Sequence, residues 1–153
     1  MQRINYYENK YFSEKELQCP TSKDIILAEG FLNCLINLRE NVGEPLQITS
    51  CCRSQEHNDW LKSRGYPASP NSFHKIGNDK WDTDTCAVDI AIPNSVFRKD
   101  LIKRAIDLGW SVGVARTFIH VDRRSDDRCF ACMATVWICE WKTGVSLVWQ
   151  TCG

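Results

Sequence analysis

A chain of 153 residues with 43% apolar and 25% charged side chains has the size and composition of one folded domain with a real core, not of a disordered segment. Its 19 basic and 19 acidic side chains cancel, so no cationic excess points to nucleic acid or to an anionic membrane surface. No apolar run is long enough to span a bilayer, and Met1 to Glu8 lack the apolar centre of a secretion signal; synthesis in the cytoplasm is expected, with export needing outside help.

The first element starts at Phe12-Ser13. Ser13 can cap a helix, Glu16 can close a capping box, and Phe12 can pack onto Leu17. From about Asp24 to Asn41, Leu27, Phe31 and Leu35 recur every four residues, and Ala28, Leu32 and Ile36 widen the stripe. This spacing predicts a long core helix ending at Gly43. Leu46 to Cys51 alternates like a strand, and Ser54 then caps a short helix carrying His57 and Trp60. Gly65 to Asn71, rich in glycine, proline, serine and asparagine, reads as a loop.

Residues 86 to 92 form a predicted strand, followed by a turn at Pro93-Asn94 and a helix from Ser95 to about Leu108. Trp110 to Ala115 and Phe118 to Asp122 give two further short strands. The order predicts an α+β domain with one central, mostly antiparallel sheet packed by helices. In the tail, Ala134 to Trp141 and Val145 to Thr151 read as a hairpin about Lys142-Thr143-Gly144 that extends or covers the sheet.

Asp89 is the anomaly. It stands inside Ala87-Val88-Asp89-Ile90-Ala91-Ile92, where an unpartnered charge would be costly to bury. The chain has three histidines: His57, His74 and His120. Alternation in Phe118 to Asp122 puts His120 and Asp122 on one strand face, opposite Ile119 and Val121. Two strands thus each offer a polar ligand from an apolar background, and a loop offers His74. Two histidines and one carboxylate with a position left open is the ligand set of a catalytic zinc site. Taken singly, each residue also fits an ordinary hydrogen-bonded structural role.

The nine cysteines lack a secretory context, so structural disulfides are not expected. Cys19, Cys34, Cys51, Cys52 and Cys86 lie in apolar or strand-like stretches and read as small buried hydrophobes. Cys129-x-x-Cys132 with Cys139 and Cys152 leaves open a second zinc site or plain thiols.

Ser72-x-His74-x-x-Gly77, then Ala87-x-Asp89, then His120-x-Asp122, resembles the signature of the zinc D,D-peptidases. That family includes D-alanyl-D-alanine carboxypeptidases of the VanY and VanX types and phage L-alanyl-D-glutamate endolysins, and the Hedgehog signalling domain shares its fold. Thr49 to Ser54 resembles the segment whose arginine faces the substrate, and Phe12 to Cys19 resembles the opening of the carboxypeptidase branch. The likeness covers roughly residues 10 to 124 and leaves 125 to 153 unmatched.

The resemblance implies one zinc per chain on His74, Asp89 and His120, a monomer, and a peptidoglycan stem peptide as substrate. Arg53 would hold a carbonyl or terminal carboxylate, and Ser72 would bind the substrate backbone. It also implies action at the bacterial cell wall, after phage-type release through a partner pore.

Two departures stand out. Where the family has one residue between glycine and alanine, this chain has Asn78 to Cys86. Asn78 to Thr85 reads as an inserted surface loop, with Asp79, Asp82 and Asp84 as solvated acids or, alternatively, a substitute for Asp89. The family's acidic base three residues before the last histidine is here Thr117, which cannot abstract a proton near neutral pH. Asp122 is then the nearest carboxylate for the catalytic base, or else an anchor for a ligand or a partner of Arg123. Without a base, the same fold would be a zinc-retaining binding module.

Overall fold

The computed structural model describes residues 9–124 and 136–138. Ser13 opens helix α1 (Glu14–Leu17) with the expected capping box: its side chain accepts from the Glu16 N–H, and Glu16 reaches back to the Ser13 N–H. Phe12 and Leu17 are both buried, as a staple requires.

The next helix is shorter than its stripe predicts. α2 spans Phe31–Val42, and residues 24 to 28 lie outside any helix. Gly30 precedes the helix with φ 75°, which breaks helical continuity. Leu27 pairs with Thr85, with Ala28 N–H donating to the Thr85 carbonyl at 2.8 Å. The four-residue repeat is real, but its first turn is taken by pairing to a distant chain segment. The predicted stop holds: Gly43 caps the helix with φ 75°.

Strand β1 (Ile48–Ser50) follows, then α3 (Gln55–Ser63), capped by Ser54. β2 (Ala87–Ala91) leads into α4 (Ser95–Asp107), whose cap is Asn94. β3 (Ser111–Val114) and β4 (Phe118–Asp122) complete an antiparallel sheet of order β1-β2-β4-β3. Backbone residues Val136–Ile138 form β5, parallel to β3 at the edge. The tail therefore extends the sheet, while the rest of the predicted hairpin lies outside the described residues.

One continuous core holds these elements. Phe31, Leu35 and Leu38 of α2 and Leu101 of α4 pack with Val88, Ile90, Val112, Ile119 and Val121 of the sheet, all nearly inaccessible. Trp110 sits edge-on to Phe31 at 5.8 Å. Each such aliphatic side chain contributes about 1.5–3 kcal/mol on burial. That packing fixes the register of β2 on β4, with Asp89 opposite His120 and Ala87 opposite Asp122. A slip of one residue would carry His120 to the other face, so the core sets the site.

Gly30→Ala distinguishes the two helix boundaries by sign. Inside a helix the change would stabilise by about 0.5–1 kcal/mol. At φ 75°, with open space around the new Cβ, only backbone strain remains. The expected outcome in urea unfolding is a loss of about 1–2 kcal/mol; a gain would restore the longer helix.

Candidate metal centre

His74 comes from the loop before β2, Asp89 from the middle of β2, and His120 from the middle of β4. All three are buried. His74 Nε2 lies 3.1 Å from Asp89 Oδ1 and 3.1 Å from His120 Nδ1, and His120 Nδ1 lies 2.9 Å from the same carboxylate oxygen. Among the described residues this is the one group of three able to hold a metal ion.

The partners on the outer side of each ring decide what the inner atoms are. His74 Nδ1 is 2.8 Å from the Cys51 carbonyl, which can only accept, so that nitrogen carries the proton. His120 Nε2 is 2.9 Å from Asp122 Oδ2, again an acceptor. In their neutral forms both rings therefore turn a lone pair inward, towards an oxygen of Asp89. Three electron-pair donors aimed at one point repel unless a cation or a proton stands between them. A small tetrahedral cation with bonds of about 2.0–2.1 Å would space its ligand atoms about 3.3–3.4 Å apart, close to the triangle found. The residues fit such an ion.

Charge is arranged accordingly. Burial alone would push the Asp89 carboxyl up, but the two imidazoles beside it hold it well below the usual carboxylate range. Burial and the nearby Arg53 guanidinium keep His74 neutral. Burial also works against a charged His120, yet the hydrogen bonds it donates to Asp122 and Asp89 outweigh that and raise this ring to about 9. When protonated, His120 donates from Nδ1 to Asp89 Oδ1 at 2.9 Å, which draws these donors together.

The surrounding residues anchor the ligands. Arg53 donates from Nη2 to Asp89 Oδ2 at 3.2 Å and from Nε to Ser50 Oγ at 3.1 Å, so it steadies the ligand carboxylate. Ser72 Oγ accepts from the His74 N–H at 3.2 Å and shapes the loop that presents that ligand. Asp122 is fully buried behind His120, on the ring nitrogen opposite the one that faces the site. Arg124 grips its two oxygens at 2.8 and 2.6 Å. This geometry suits the anchoring role for Asp122 better than the base.

Arg124, rather than Arg123, is the partner of Asp122. Arg123 instead reaches the Leu108 carbonyl. The sequence signal was present in the period of two, since Arg124 follows Asp122 as Asp122 follows His120. Thr117 is exposed in the turn between β3 and β4. Asp79 and Asp82 are exposed, and Asp84 accepts from the Gly77 N–H, so none joins the trio. His57 stands apart as well, with Nδ1 2.8 Å from Thr21 Oγ1. None of the five described cysteines forms a disulfide, and all but the half-buried Cys34 are buried. Cys129, Cys132, Cys139 and Cys152 lie outside the described residues.

Neither a scan against protein-family models nor searches of curated proteins and of solved structures finds a match to this chain. Among the described residues no helix is long and apolar enough to cross a membrane.

A cation entering this site must displace the His120 proton, while His74 and both aspartates need lose none. One proton should therefore be released per ion bound. With zinc as the probe, apparent affinity should rise about tenfold per pH unit from about pH 6 to 8. The rise should level off as His120 titrates at about 9. Chelator-competition titrations read the slope, and a flat profile would contradict the assignment of that proton.

Proposed function

We propose that this protein is a zinc-dependent peptidase acting on peptidoglycan stem peptides, with the D,D-peptidase and Hedgehog type of fold. The observation that carries this reading is the convergence of His74 Nε2, Asp89 Oδ1 and His120 Nδ1, each ligand backed by an outer partner. The resemblance of the surrounding motifs supplies the substrate class. That step is analogy, since one fold hosts many functions.

Bound zinc would supply Lewis-acid activation of water and of the scissile carbonyl. The chain's own residues do the rest. Cys51 and Asp122 hold the two imidazoles in the tautomers that present lone pairs, and Arg53 fixes the outer oxygen of Asp89. The guanidinium of Arg53 has donors beyond those two contacts, which suit a substrate carbonyl or terminal carboxylate. Ser72 lies two residues from His74 and keeps a hydroxyl proton for the substrate backbone. The site of action would be the bacterial cell wall, reached by phage-type release.

A second reading is favoured by one specific observation. Thr117 occupies the position of the missing base, and Asp122 is turned away behind His120. A zinc-retaining binding module of the same fold would look like this.

Mass analysis of peptidoglycan fragments incubated with the zinc-loaded protein separates the two. The peptidase reading expects loss of a terminal D-alanine or cleavage within the stem. Intact fragments that remain bound would establish the module. Asp122→Asn should weaken zinc binding about 10- to 100-fold, with turnover recovering in excess zinc. A rate loss that excess zinc does not repair, with affinity unchanged, would return Asp122 to the role of base.

A further inference from the structure

The Asn78 to Thr85 loop is fastened far more tightly than a solvated insertion needs to be. Asn78 is buried, and its Nδ2 donates to the carbonyls of Asn71 and Ser72 at 3.1 and 2.9 Å. Its backbone exchanges two hydrogen bonds with Thr83, and its Oδ1 accepts from the Trp81 N–H. Asp84 closes the base through the Gly77 N–H at 3.0 Å. The result is to hold one large ring, Trp81, in one place.

That ring lies on Phe73, the residue before ligand His74, with centroids 5.6 Å apart and planes 26° apart. The Arg124 guanidinium lies 4.7 Å from the centre of the same Phe73 ring. Arg124 in turn grips both oxygens of Asp122, and Asp122 holds His120. An unbroken series of contacts therefore runs from a 37% exposed tryptophan to a ligand of the metal centre. Packing Phe73 against Trp81 limits the ring's motion, and a fixed ring face limits where the guanidinium can sit.

We propose that Trp81 is a positioning residue for the metal centre: through Phe73 and Arg124, the inserted loop fixes the carboxylate that orients His120. The loop thereby acts on metal retention without touching the ion. This inference rests on the metal-site reading of His74, Asp89 and His120, and on no particular substrate.

The test is zinc affinity by chelator competition in the full chain, with circular dichroism and zinc-free melting temperature as controls. Trp81→Ala should weaken zinc binding about 3- to 10-fold, the equivalent of losing one aromatic pair. The zinc-free melting temperature should barely change, because the side chain is partly exposed. Trp81→Phe should recover most of the affinity, and Trp60→Ala, at a tryptophan 47% exposed elsewhere, should leave it unchanged. In a Phe73→Leu background, Trp81→Ala should have no further effect.

Unchanged affinity in Trp81→Ala overturns the proposal, including the case where only the KM for a cell-wall peptide rises, which would make Trp81 a substrate contact. An equal loss in the Phe73→Leu background overturns the route through Phe73. Should Trp81→Ala fail to fold, Trp81→Phe and Trp81→Leu decide, since the leucine keeps bulk but lacks a ring face. Equal affinities in those two variants would count against the proposal. A wild-type chain that binds no zinc would remove the metal-site reading itself, a failure distinct from that of Trp81.

Discussion

Three buried electron-pair donors, His74 Nε2, Asp89 Oδ1 and His120 Nδ1, are turned towards one another at 2.9 to 3.1 Å. His74, Asp89 and His120 cannot be satisfied by each other in their neutral and ionised forms, and water has little access to them. Bringing such groups together inside a sheet costs several kcal/mol unless a positive charge stands among them. The fold imposes this juxtaposition through antiparallel register, which places Asp89 opposite His120, and offsets its cost with the apolar core packed against the sheet. It adds outer partners that leave each ring one way to point.

Those outer partners are themselves anchored in parts of the chain that would otherwise look unrelated. The Cys51 carbonyl belongs to the end of the β1 segment, which also leads into Arg53 and the capped start of α3. Arg53 N–H donates to the His74 carbonyl while its guanidinium steadies Asp89. On the other side, Arg124 closes over Asp122 at the end of β4. The trio is thus gripped from both flanks, and its rigidity comes from several short-range hydrogen bonds rather than from one.

Much of this was legible in the sequence because it follows from alternation. A period of two puts Asp89 apart from Val88 and Ile90, and His120 with Asp122. What it cannot give is which ring nitrogen meets which partner, because that depends on rotamers set by non-local packing. Hence alternation alone leaves Asp122 open as base or anchor, and its contact with His120 Nε2 favours the anchor. The start of α2 departs from its stripe for a related reason. Leu27 fits the helical stripe, but pairing with Thr85 across a long sequence separation overrides local periodicity. The stack of Trp81 on Phe73 had no sequence signal, since the inserted loop reads by composition as a solvated run.

The proposed zinc would be held by nitrogen and oxygen, not by sulfur, in a chain with nine cysteines. X-ray absorption at the zinc edge of the metal-loaded protein should show a first shell at about 2.0–2.1 Å made only of nitrogen and oxygen, with the outer-shell scattering of two imidazoles. A shell at about 2.3 Å, the zinc–thiolate distance, would contradict it and move the metal to cysteines.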